Sequence, residues 1–396
     1  MMQVVDPLDR LTAAARLRTA AGLHRTLRPR TPHPRLLDLA SNDYLGLSRD
    51  PRLIEGAVEA VRAWGAGSTG SRLVTGTTEL HAALEQRLAG FTGMPSALVF
   101  SSGYLANLGA LTALRPGLIV SDRGNHASLI DGCRLARCPV VVTPHRDAAA
   151  VDAALAGTDD AVVVTDAVFS VDGDLAPLRE LHEVVRRHRA LLVIDEAHAL
   201  GVVGPGGRGA AHAAGLAGEP DVVLTVTLSK SLGSQGGAVL GAPQVIDTLI
   251  DTARSFVFDT GLAPASAGAA SAALDVLAAE PQLAGRARDR AVRLAGIAHA
   301  LGLGLGLETT TPAAAVVPVV IGEPDQAVRA AEICAGHGVR VGCFRPPSVP
   351  SGRACLRLTA RASLEEAELT TVTRALADVR DQIGPYAARN AEATRR

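Results

Sequence analysis

The fold of this chain is decided by an apolar run that ends in a carboxylate, residues 191–198 with the sequence LLVIDEAH. Similar short runs, rich in β-branched residues, recur on both sides of it, and stretches with helical periodicity separate them. We predict that five of these runs are further strands: residues 97–100, 118–120, 140–143, 161–165 and 222–226. Continuous apolar strands that alternate with helices indicate a mostly parallel sheet covered on both faces. The sequence therefore predicts an α/β fold.

The remaining sequence predicts an N-terminal arm and a second, smaller α+β lobe. Residues 10–28 have helical periodicity, and two long Ala-rich helical stretches extend from Pro264 to about residue 303. Beyond them we predict two strands and two helices: 313–321, 354–359, 326–337 and 364–383. A length of 396 residues suits two or three domains. We predict these boundaries: an arm over 1–48, a large domain over 49–285 and a small domain over 286–396.

Composition excludes several classes of function. The 39 basic and 40 acidic residues nearly cancel, so nothing marks the chain as a nucleic-acid-binding protein. Five cysteines without a C-x-x-C pair predict neither a disulfide framework nor a zinc ribbon, and they suit a reducing cytoplasm. A charged N-terminus and the lack of an apolar run of about 18 residues argue against a signal peptide and a membrane span.

Lys230 is the only lysine in the chain, although the sequence contains 39 basic residues. A coding bias explains the excess of arginine. It does not explain the one lysine, because an arginine would serve as a surface charge but does not lose its proton to act as an amine nucleophile or base. Composition therefore makes Lys230 a candidate catalytic residue, with a structural role as the alternative.

Polar residues follow several of the predicted strands, at the edge where open parallel sheets bind ligands. Residues 101–104, SSGY, leave a strand and open a helix, where free backbone N–H groups hold phosphate. Asp195 ends its strand, with His198 close behind, and Lys230 follows Thr227 by three residues. Each feature alone has an ordinary explanation as a turn or a helix cap. Together, the phosphate cradle, carboxylate, imidazole and amine are the set that pyridoxal 5'-phosphate (PLP) requires.

Three other motifs do not support a competing function. The histidines of residues 182–188, HEVVRRH, are six positions apart and lie on different helix faces, so we predict no metal site there or elsewhere. The glycine-rich stretches at 204–209 and 302–306 lack the strand and helix of a dinucleotide fingerprint. A nicotinamide-dependent oxidoreductase is thus disfavoured, and a catalytically silent small-molecule-binding protein is the remaining alternative of another class.

From about residue 20 to about residue 385, the chain resembles the α-oxoamine synthases, PLP enzymes with the fold type I (aspartate aminotransferase-like) architecture. The matching segments are SNDYLGLS at 41–48, GSRLV at 70–74, NHASL at 125–129, VFSVDGD at 168–174 and RPPSVP at 345–350. The resemblance implies that Lys230 forms the internal aldimine and that Asp195 pairs with the pyridine nitrogen.

The resemblance also implies the remaining roles at the cofactor. His198 would bond the ring hydroxyl with Ser170 nearby, and His126 would stack on the ring. The residues that would bind the phosphate lie at two strand ends: Ser102, Gly103, Tyr104 and Thr227. The family members are homodimers with the site at the subunit interface, so Thr260 would reach the cofactor phosphate of the partner subunit.

For the substrates, the resemblance implies that Asn42 and Arg345 orient carboxylates and that Ser348 lines the same site. An arginine of the arm would bind the acyl substrate, and either His24 or Arg25 stands at that position. The implied reaction is the decarboxylative condensation of L-alanine with a pimeloyl thioester, on CoA or an acyl carrier protein, in biotin biosynthesis. Glycine C-acetyltransferase, which would use glycine and acetyl-CoA, is the alternative within the family.

The chain departs from the family pattern in two further places. Asp166-Ala167 stands where a Glu-Gly pair is usual, and residues 231–235, SLGSQ, replace a loop that normally contains an aromatic residue. The role of the Asp166 carboxylate is therefore open.

Overall fold

The computed structural model of the protein describes residues 6–27, 29–33, 35–306 and 311–384. Within these ranges, the α-helices are α1 (Pro7–Ala20), α2 (Pro51–Trp64), α3 (Glu79–Thr92), α4 (Gly103–Leu114), α5 (Ala127–Ala136), α6 (Ala148–Leu155), α7 (Leu178–His188), α8 (Ala210–Ala213), α9 (Pro243–Thr252), α10 (Arg254–Val257), α11 (Pro264–Ala279), α12 (Gln282–Ala300), α13 (Pro324–Gly336) and α14 (Glu366–Ile383). None of these described helices is both long and apolar enough to cross a membrane.

The strands in the same ranges form two sheets. They are β1 (Leu37–Leu39), β2 (Ser96–Phe100), β3 (Leu118–Asp122), β4 (Val140–Thr143), β5 (Ala161–Asp166), β6 (Leu191–Asp195), β7 (Val222–Thr227), β8 (Gly237–Gly241), β9 (Val316–Gly322), β10 (Val339–Phe344) and β11 (Ala354–Thr359).

The large sheet has seven strands in the order β2-β8-β7-β6-β5-β3-β4. From β7 to β4 the neighbouring strands are parallel, whereas β8 is antiparallel to both β2 and β7. The sheet contains all six strands predicted for this part of the chain, which confirms the α/β fold class. Strand β8 was not predicted, because its short apolar run has a glycine at each end and looks like a continuation of the glycine-rich loop before it.

The large sheet is buried on both faces except at its edge strand β4, where Val140, Val141 and Val142 are exposed. On β6, Leu192 and Ile194 pack in one hydrophobic cluster, whereas Val193 packs in the cluster on the opposite face. This alternation follows from the two-residue period of a strand. Each fully buried leucine, isoleucine or valine contributes about 1.5–3 kcal/mol to the stability of the fold.

The small sheet has the order β1-β10-β11-β9. Strand β1 comes from the predicted N-terminal arm and pairs in parallel with β10, so the arm is attached to the C-terminal lobe. The predicted strands over 313–321 and 354–359 correspond to β9 and β11. Strand β10 was not predicted, and the domain boundaries given above remain a prediction.

The helical prediction over residues 10–28 was wrong at its C-terminal end. Helix α1 ends at Ala20, and Gly22 follows with a φ of 66°. This left-handed conformation favours glycine and takes the chain out of the helix. Residue 28 lies outside the described residues.

The register of the parallel strands brings their polar ends together. Asp166 of β5 lies opposite Asp195 of β6, and Asp195 lies opposite Thr225 of β7. Neighbouring strands lie about 4.8 Å apart, so the loops that leave these ends share one edge of the sheet. That edge contains the candidate site.

Candidate active site

A cavity of about 280 Å³ opens at this edge of the large sheet. It brings together eight of the residues predicted to bind the cofactor: Ser102, Gly103, Tyr104, His126, Asp195, His198, Thr227 and Lys230. Asn107, Ser128, Asp166 and Ser229 also line it, together with a few small and apolar residues.

Lys230 points its amine at His198, with 2.8 Å between Nζ and the imidazole Nε2. The loop that carries Lys230 leaves the end of β7 directly after Thr227. Burial lowers the pKa of the Lys230 amine to about 8, although the charge of the Asp195 carboxylate acts in the opposite direction. A substantial fraction of the amine is therefore neutral, and able to act as a nucleophile or base, at pH values just above neutrality.

His198 is fixed between Lys230 and Tyr44. Its Nδ1 is hydrogen-bonded to the Tyr44 hydroxyl, and Tyr44 is completely buried. Burial and the neighbouring Lys230 hold the pKa of His198 well below its usual range, so the imidazole is neutral. Tyr44 belongs to the segment 41–48, but its role was not predicted because it depends on a contact with a residue 154 positions away.

Asp195 receives two hydrogen bonds at the end of β6. Asn107 of α4 donates from Nδ2 to Oδ2 at 2.7 Å, and the Ala197 N–H donates to Oδ1 at 2.9 Å. Asn107 is buried and donates to the Ser128 hydroxyl as well, at 2.8 Å. These donors stabilise an ionised carboxylate and hold it in one orientation. Asn107 was not predicted, since an asparagine inside a helix gives no distinctive pattern.

His126 caps the N-terminus of α5 and lies at the mouth of the cavity. Its Nδ1 is hydrogen-bonded to the Ser128 hydroxyl at 2.7 Å, which fixes the ring. The residue is partly exposed, but burial of its ring against the protein still lowers the pKa of the imidazole. His126 therefore presents a neutral ring to the site.

The opposite end of the cavity is an anion site at the start of α4. Ser102 is the N-cap residue and accepts a hydrogen bond from the Leu105 N–H at 3.1 Å. Gly103 follows and lies so close to Thr227 that a Cβ on Gly103 would come within 3.1 Å of the threonine Cβ. Free N–H groups of the first helical turn are donors of the kind that a phosphate needs. The Thr227 hydroxyl lies beside them and is hydrogen-bonded to the Ser229 hydroxyl at 2.7 Å.

Arg357 lies beside the cavity and contacts two further predicted residues, Asn42 and Ser170. The sequence analysis did not predict Arg357 itself. It lies on β11, is 5 % exposed, and donates to the Asn42 Oδ1 at 2.8 Å and to the Ser170 carbonyl at 2.7 Å. Its Nε has no hydrogen-bond partner among the described residues. A single charged residue inside an apolar strand, ACLRLT at 354–359, was the signal that could have revealed it.

Arg345 and Ser348 do not reach the cavity around Lys230. They line a second cavity of about 210 Å³, together with Leu23, Arg25, Cys343, Phe344 and Pro346. Arg345 donates a hydrogen bond to the Gly22 carbonyl, which anchors the end of the arm helix there. Of the two candidates in the arm, Arg25 lines this outer cavity and His24 does not.

Thr260 also lies apart from Lys230 within its own chain. It is exposed, pairs with Ser71 in an isolated β-bridge and lines a small crevice with Ser101 and Asp259. Its predicted role concerns the partner subunit's cofactor and remains a prediction.

The two histidines of the zinc-like motif bind different partners. His182 is hydrogen-bonded to Asp221 and His188 to Asp152. His182, Asp221 and Glu219 bring three possible metal-ligand atoms within 4.8 Å of one another, but Arg186 forms an ion pair with Glu219. Asp221 directly precedes β7, so this group lies at the amino end of the parallel strands and not at the edge that contains the site.

Comparison with known proteins agrees with this geometry. The family model described as aminotransferase class I and II matches residues 34–376. The chain therefore belongs to the aminotransferase class I and II family, which confirms the predicted family and fold.

Individual relatives narrow the comparison. The chain is 61 % identical to the 8-amino-7-oxononanoate synthase of Mycolicibacterium vanbaalenii over 95 % of its own length and 98 % of the relative's. It superposes on a serine palmitoyltransferase that holds PLP as an internal aldimine with a TM-score of 0.88, at 30 % identity, covering 96 % of this chain and 100 % of the other. The 8-amino-7-oxononanoate synthase of Francisella tularensis shares the fold with a TM-score of 0.74, at 24 % identity, covering 87 % and 97 % of the two chains.

Proposed function

We propose that the protein carries out the reaction of an 8-amino-7-oxononanoate synthase with PLP as its cofactor. L-alanine and a pimeloyl thioester, on CoA or an acyl carrier protein, would give 8-amino-7-oxononanoate, CO2 and the free thiol. The observation that carries the proposal is the position of the only lysine, buried against His198 and facing the same cavity as Asp195. Identity of 61 % to the M. vanbaalenii enzyme supports this reaction over that of glycine C-acetyltransferase.

The residues around the cavity fit PLP. Lys230 offers an amine of lowered pKa, Asp195 a fixed carboxylate, and the start of α4 an anion site at the other end. Bound in this way, PLP would supply an electron sink for the pair left when a bond at Cα breaks. Asp195, held as an anion by Asn107 and Ala197, would keep the pyridine nitrogen protonated.

Lys230 would have two functions. Its amine would hold the cofactor covalently, and as a free amine it would take the proton from the Cα of alanine. The lowered pKa suits the second step, because an amine with an ordinary pKa near about 10.4 would stay protonated and could not act as a base. His198 accepts or donates a hydrogen bond at Nζ and keeps the amine directed into the cavity.

Arg357 would bind the carboxylate of alanine. The guanidinium is held in place by Asn42 and the Ser170 carbonyl, and an arginine is suited to two parallel bonds to a carboxylate. The resemblance gave Asn42 and Arg345 the role of orienting substrate carboxylates, and we propose that Arg357 takes this role at the carboxylate of the amino acid. The same carboxylate leaves as CO2 after the new carbon–carbon bond has formed and the thiol has departed.

His126 would hold the acyl partner. Its neutral ring is fixed by Ser128 at the cavity mouth, where it can cover the ring of the cofactor and orient the thioester carbonyl. The acyl chain would then extend to the outer cavity, where Arg25, Arg345 and Ser348 offer donors to the distal carboxylate or ester.

We further propose a homodimer with two sites at its interface, in which Thr260 of each subunit would bind the cofactor phosphate of its partner. The exposure of Thr260 leaves its hydroxyl accessible to a second subunit. No disulfide joins the five cysteines, all of which lie in the described part of the chain, and this suits the cytoplasm as the place of action.

A thiol-release assay on the purified, PLP-loaded protein tests the proposed reaction. Alanine or glycine is supplied with pimeloyl-CoA, pimeloyl-acyl carrier protein or acetyl-CoA, and the free thiol is measured. We expect release with alanine and a pimeloyl thioester. Preference for glycine with acetyl-CoA, or the absence of thiol release from every pair, would refute the proposal.

A further inference from the structure

Asp166 is a buried carboxyl group in the cavity to which neither the resemblance nor the proposed mechanism gives a function. It ends β5 directly opposite Asp195 on β6, so two carboxyl groups lie side by side on neighbouring strands. Asp166 lines the same cavity as Lys230, and the residue is 3 % exposed. Two ionised carboxylates that are buried on neighbouring strands repel each other more strongly than they would in water.

The hydrogen bonds show which of the two carboxyl groups carries the negative charge. Asp195 accepts bonds of 2.7 Å and 2.9 Å at its two oxygens. Asp166 accepts one long bond of 3.4 Å at Oδ1, from the His126 N–H, and its Oδ2 is buried without a partner among the described residues. Burying an ionised oxygen without a donor is costly, whereas a protonated oxygen needs only an acceptor.

The surrounding charges agree with this assignment. Burial, and then the negative charge of Asp195, raise the pKa of Asp166 well above its usual range, and Asp122 adds to this. Lys230 and the His126 N–H act in the opposite direction and do not outweigh burial. Asp195 is thus the anion of the pair, and Asp166 the neutral acid.

We propose that Asp166 is a further cofactor-positioning residue, a neutral carboxylic acid whose Oδ2–H donates a hydrogen bond into the cavity. The donor is Oδ2 because Oδ1 already accepts from His126. This inference rests on the proposed function in one respect only, namely that the acceptor in the cavity is PLP. The neutral state leaves a single negative charge, on Asp195, opposite the Lys230 amine.

Two substitutions test the proposal. Asp166→Asn keeps a neutral side chain that can still donate, whereas Asp166→Ala removes the donor. Loss of one buried hydrogen bond predicts that Asp166→Ala weakens PLP affinity about tenfold, while Asp166→Asn stays within about threefold of the wild type. Titration of each cofactor-free variant with PLP, followed by visible absorbance, gives both affinities. Equal PLP affinity of Asp166→Ala and wild type would overturn the proposal.

The protonation state of Asp166 can be tested on the PLP-loaded protein through the pH dependence of its visible spectrum. Because Asp166→Asn removes no charge from a neutral acid, the pH midpoint of the visible spectrum should not move. If Asp166 were an anion, its loss would destabilise the protonated form and lower that midpoint by about one pH unit or more. Such a decrease would overturn the proposal. Asp172→Asn, at a carboxyl paired with Arg353 outside this cavity, is the matched control.

Infrared spectroscopy gives a measurement that needs neither cofactor nor activity. The difference spectrum of cofactor-free wild type minus Asp166→Asn at neutral pH should contain the carbonyl stretch of an undissociated carboxylic acid. A carboxylate band in its place would overturn the proposal, even if Asp166→Ala does not fold. If PLP does not bind the wild type at all, the proposed function fails while this spectrum still decides the protonation of Asp166.

Discussion

The inner cavity around Lys230 and the outer cavity around Arg345 are built in different ways. In the inner cavity, buried polar side chains hold one another through a continuous set of bonds, as in the pairs Tyr44–His198 and Asn107–Asp195. The outer cavity is lined by residues of the arm, of the end of β10 and of the loop that follows it, and both Arg25 and Ser348 are exposed. Phe344 lines the outer cavity and also packs its ring 4.6 Å from the Arg357 guanidinium, so it stands at the boundary.

This difference suggests that the inner cavity carries out the chemistry and that the outer cavity binds the end of the acyl substrate. Groups that touch the reacting atoms are fixed in advance, which lowers the cost of reorganisation in the reaction. The groups proposed to bind the far end of the acyl chain lie on loops and at the end of a strand, where affinity matters more than exact orientation. Substitutions in the inner cavity should therefore have much larger effects than substitutions in the outer cavity.

The largest effect is expected for Asp195→Asn. The isosteric amide keeps the bond from Ala197 but removes the negative charge, so the ring nitrogen of the cofactor loses its partner. We expect kcat with alanine and the pimeloyl thioester to fall about a thousandfold, by analogy with the loss of other buried electrostatic groups. Steady-state kinetics on PLP-loaded protein measure this. A decrease of less than tenfold would contradict the assigned role.

Arg357→Ala should have the next largest effect, confined to the amino acid. Truncating a buried, charged donor predicts a decrease of about 100-fold in kcat/KM for alanine. Arg357→Lys keeps the charge without the paired geometry and serves as the milder variant if the alanine variant unfolds. An unchanged kcat/KM for alanine in a folded variant would show that another group binds the carboxylate.

Arg345→Ala tests the outer cavity. We expect KM for the pimeloyl thioester to increase about tenfold and KM for alanine to stay unchanged. The increase follows because the thioester substrate loses one hydrogen bond from a charged, partly exposed side chain. Arg374→Ala, an exposed arginine on α14, is the control. An effect of Arg345→Ala on alanine and not on the thioester would place Arg345 in the inner site.

The smallest effect is a pH dependence of the cofactor-free protein. The pKa of Lys230 is lowered to about 8, so the amine is mainly protonated at pH 7 and half neutral at pH 8. The rate at which Lys230 reacts with PLP should therefore rise about fivefold from pH 7 to pH 8, about double above pH 8, and then level off by about pH 9. Stopped-flow absorbance measures this. A rate that keeps rising to pH 10 would indicate an amine with an ordinary pKa.

The sequence predicted those features that depend on local pattern. Six apolar runs were assigned to the large sheet, and the topology of a parallel sheet then placed Asp195, His198, Thr227 and Lys230 at one edge. Local residue order is sufficient for this inference, because the carboxyl ends of neighbouring parallel strands meet. Strands β8 and β10 escaped because their short runs contain or adjoin glycine.

Other features depend on contacts between distant parts of the chain. Arg357 meets Asn42 across 315 positions, and Asn107 meets Asp195 across 88. Neither pairing has a spacing rule that sequence periodicity could reveal. The motif at 345–350 predicted that Arg345 orients substrate carboxylates, but it did not show that Arg345 lies apart from Lys230, against the arm and the Gly22 carbonyl.

The most direct test of the central claim is reduction of the PLP-loaded protein with borohydride, followed by peptide mapping with mass spectrometry. We expect one pyridoxyl adduct, on Lys230, together with loss of the visible absorbance of the loaded protein. Lys230→Arg, which keeps the charge but lacks a nucleophilic amine, should give no adduct. A wild-type protein without an adduct at Lys230, or with the adduct retained in Lys230→Arg, would contradict the account.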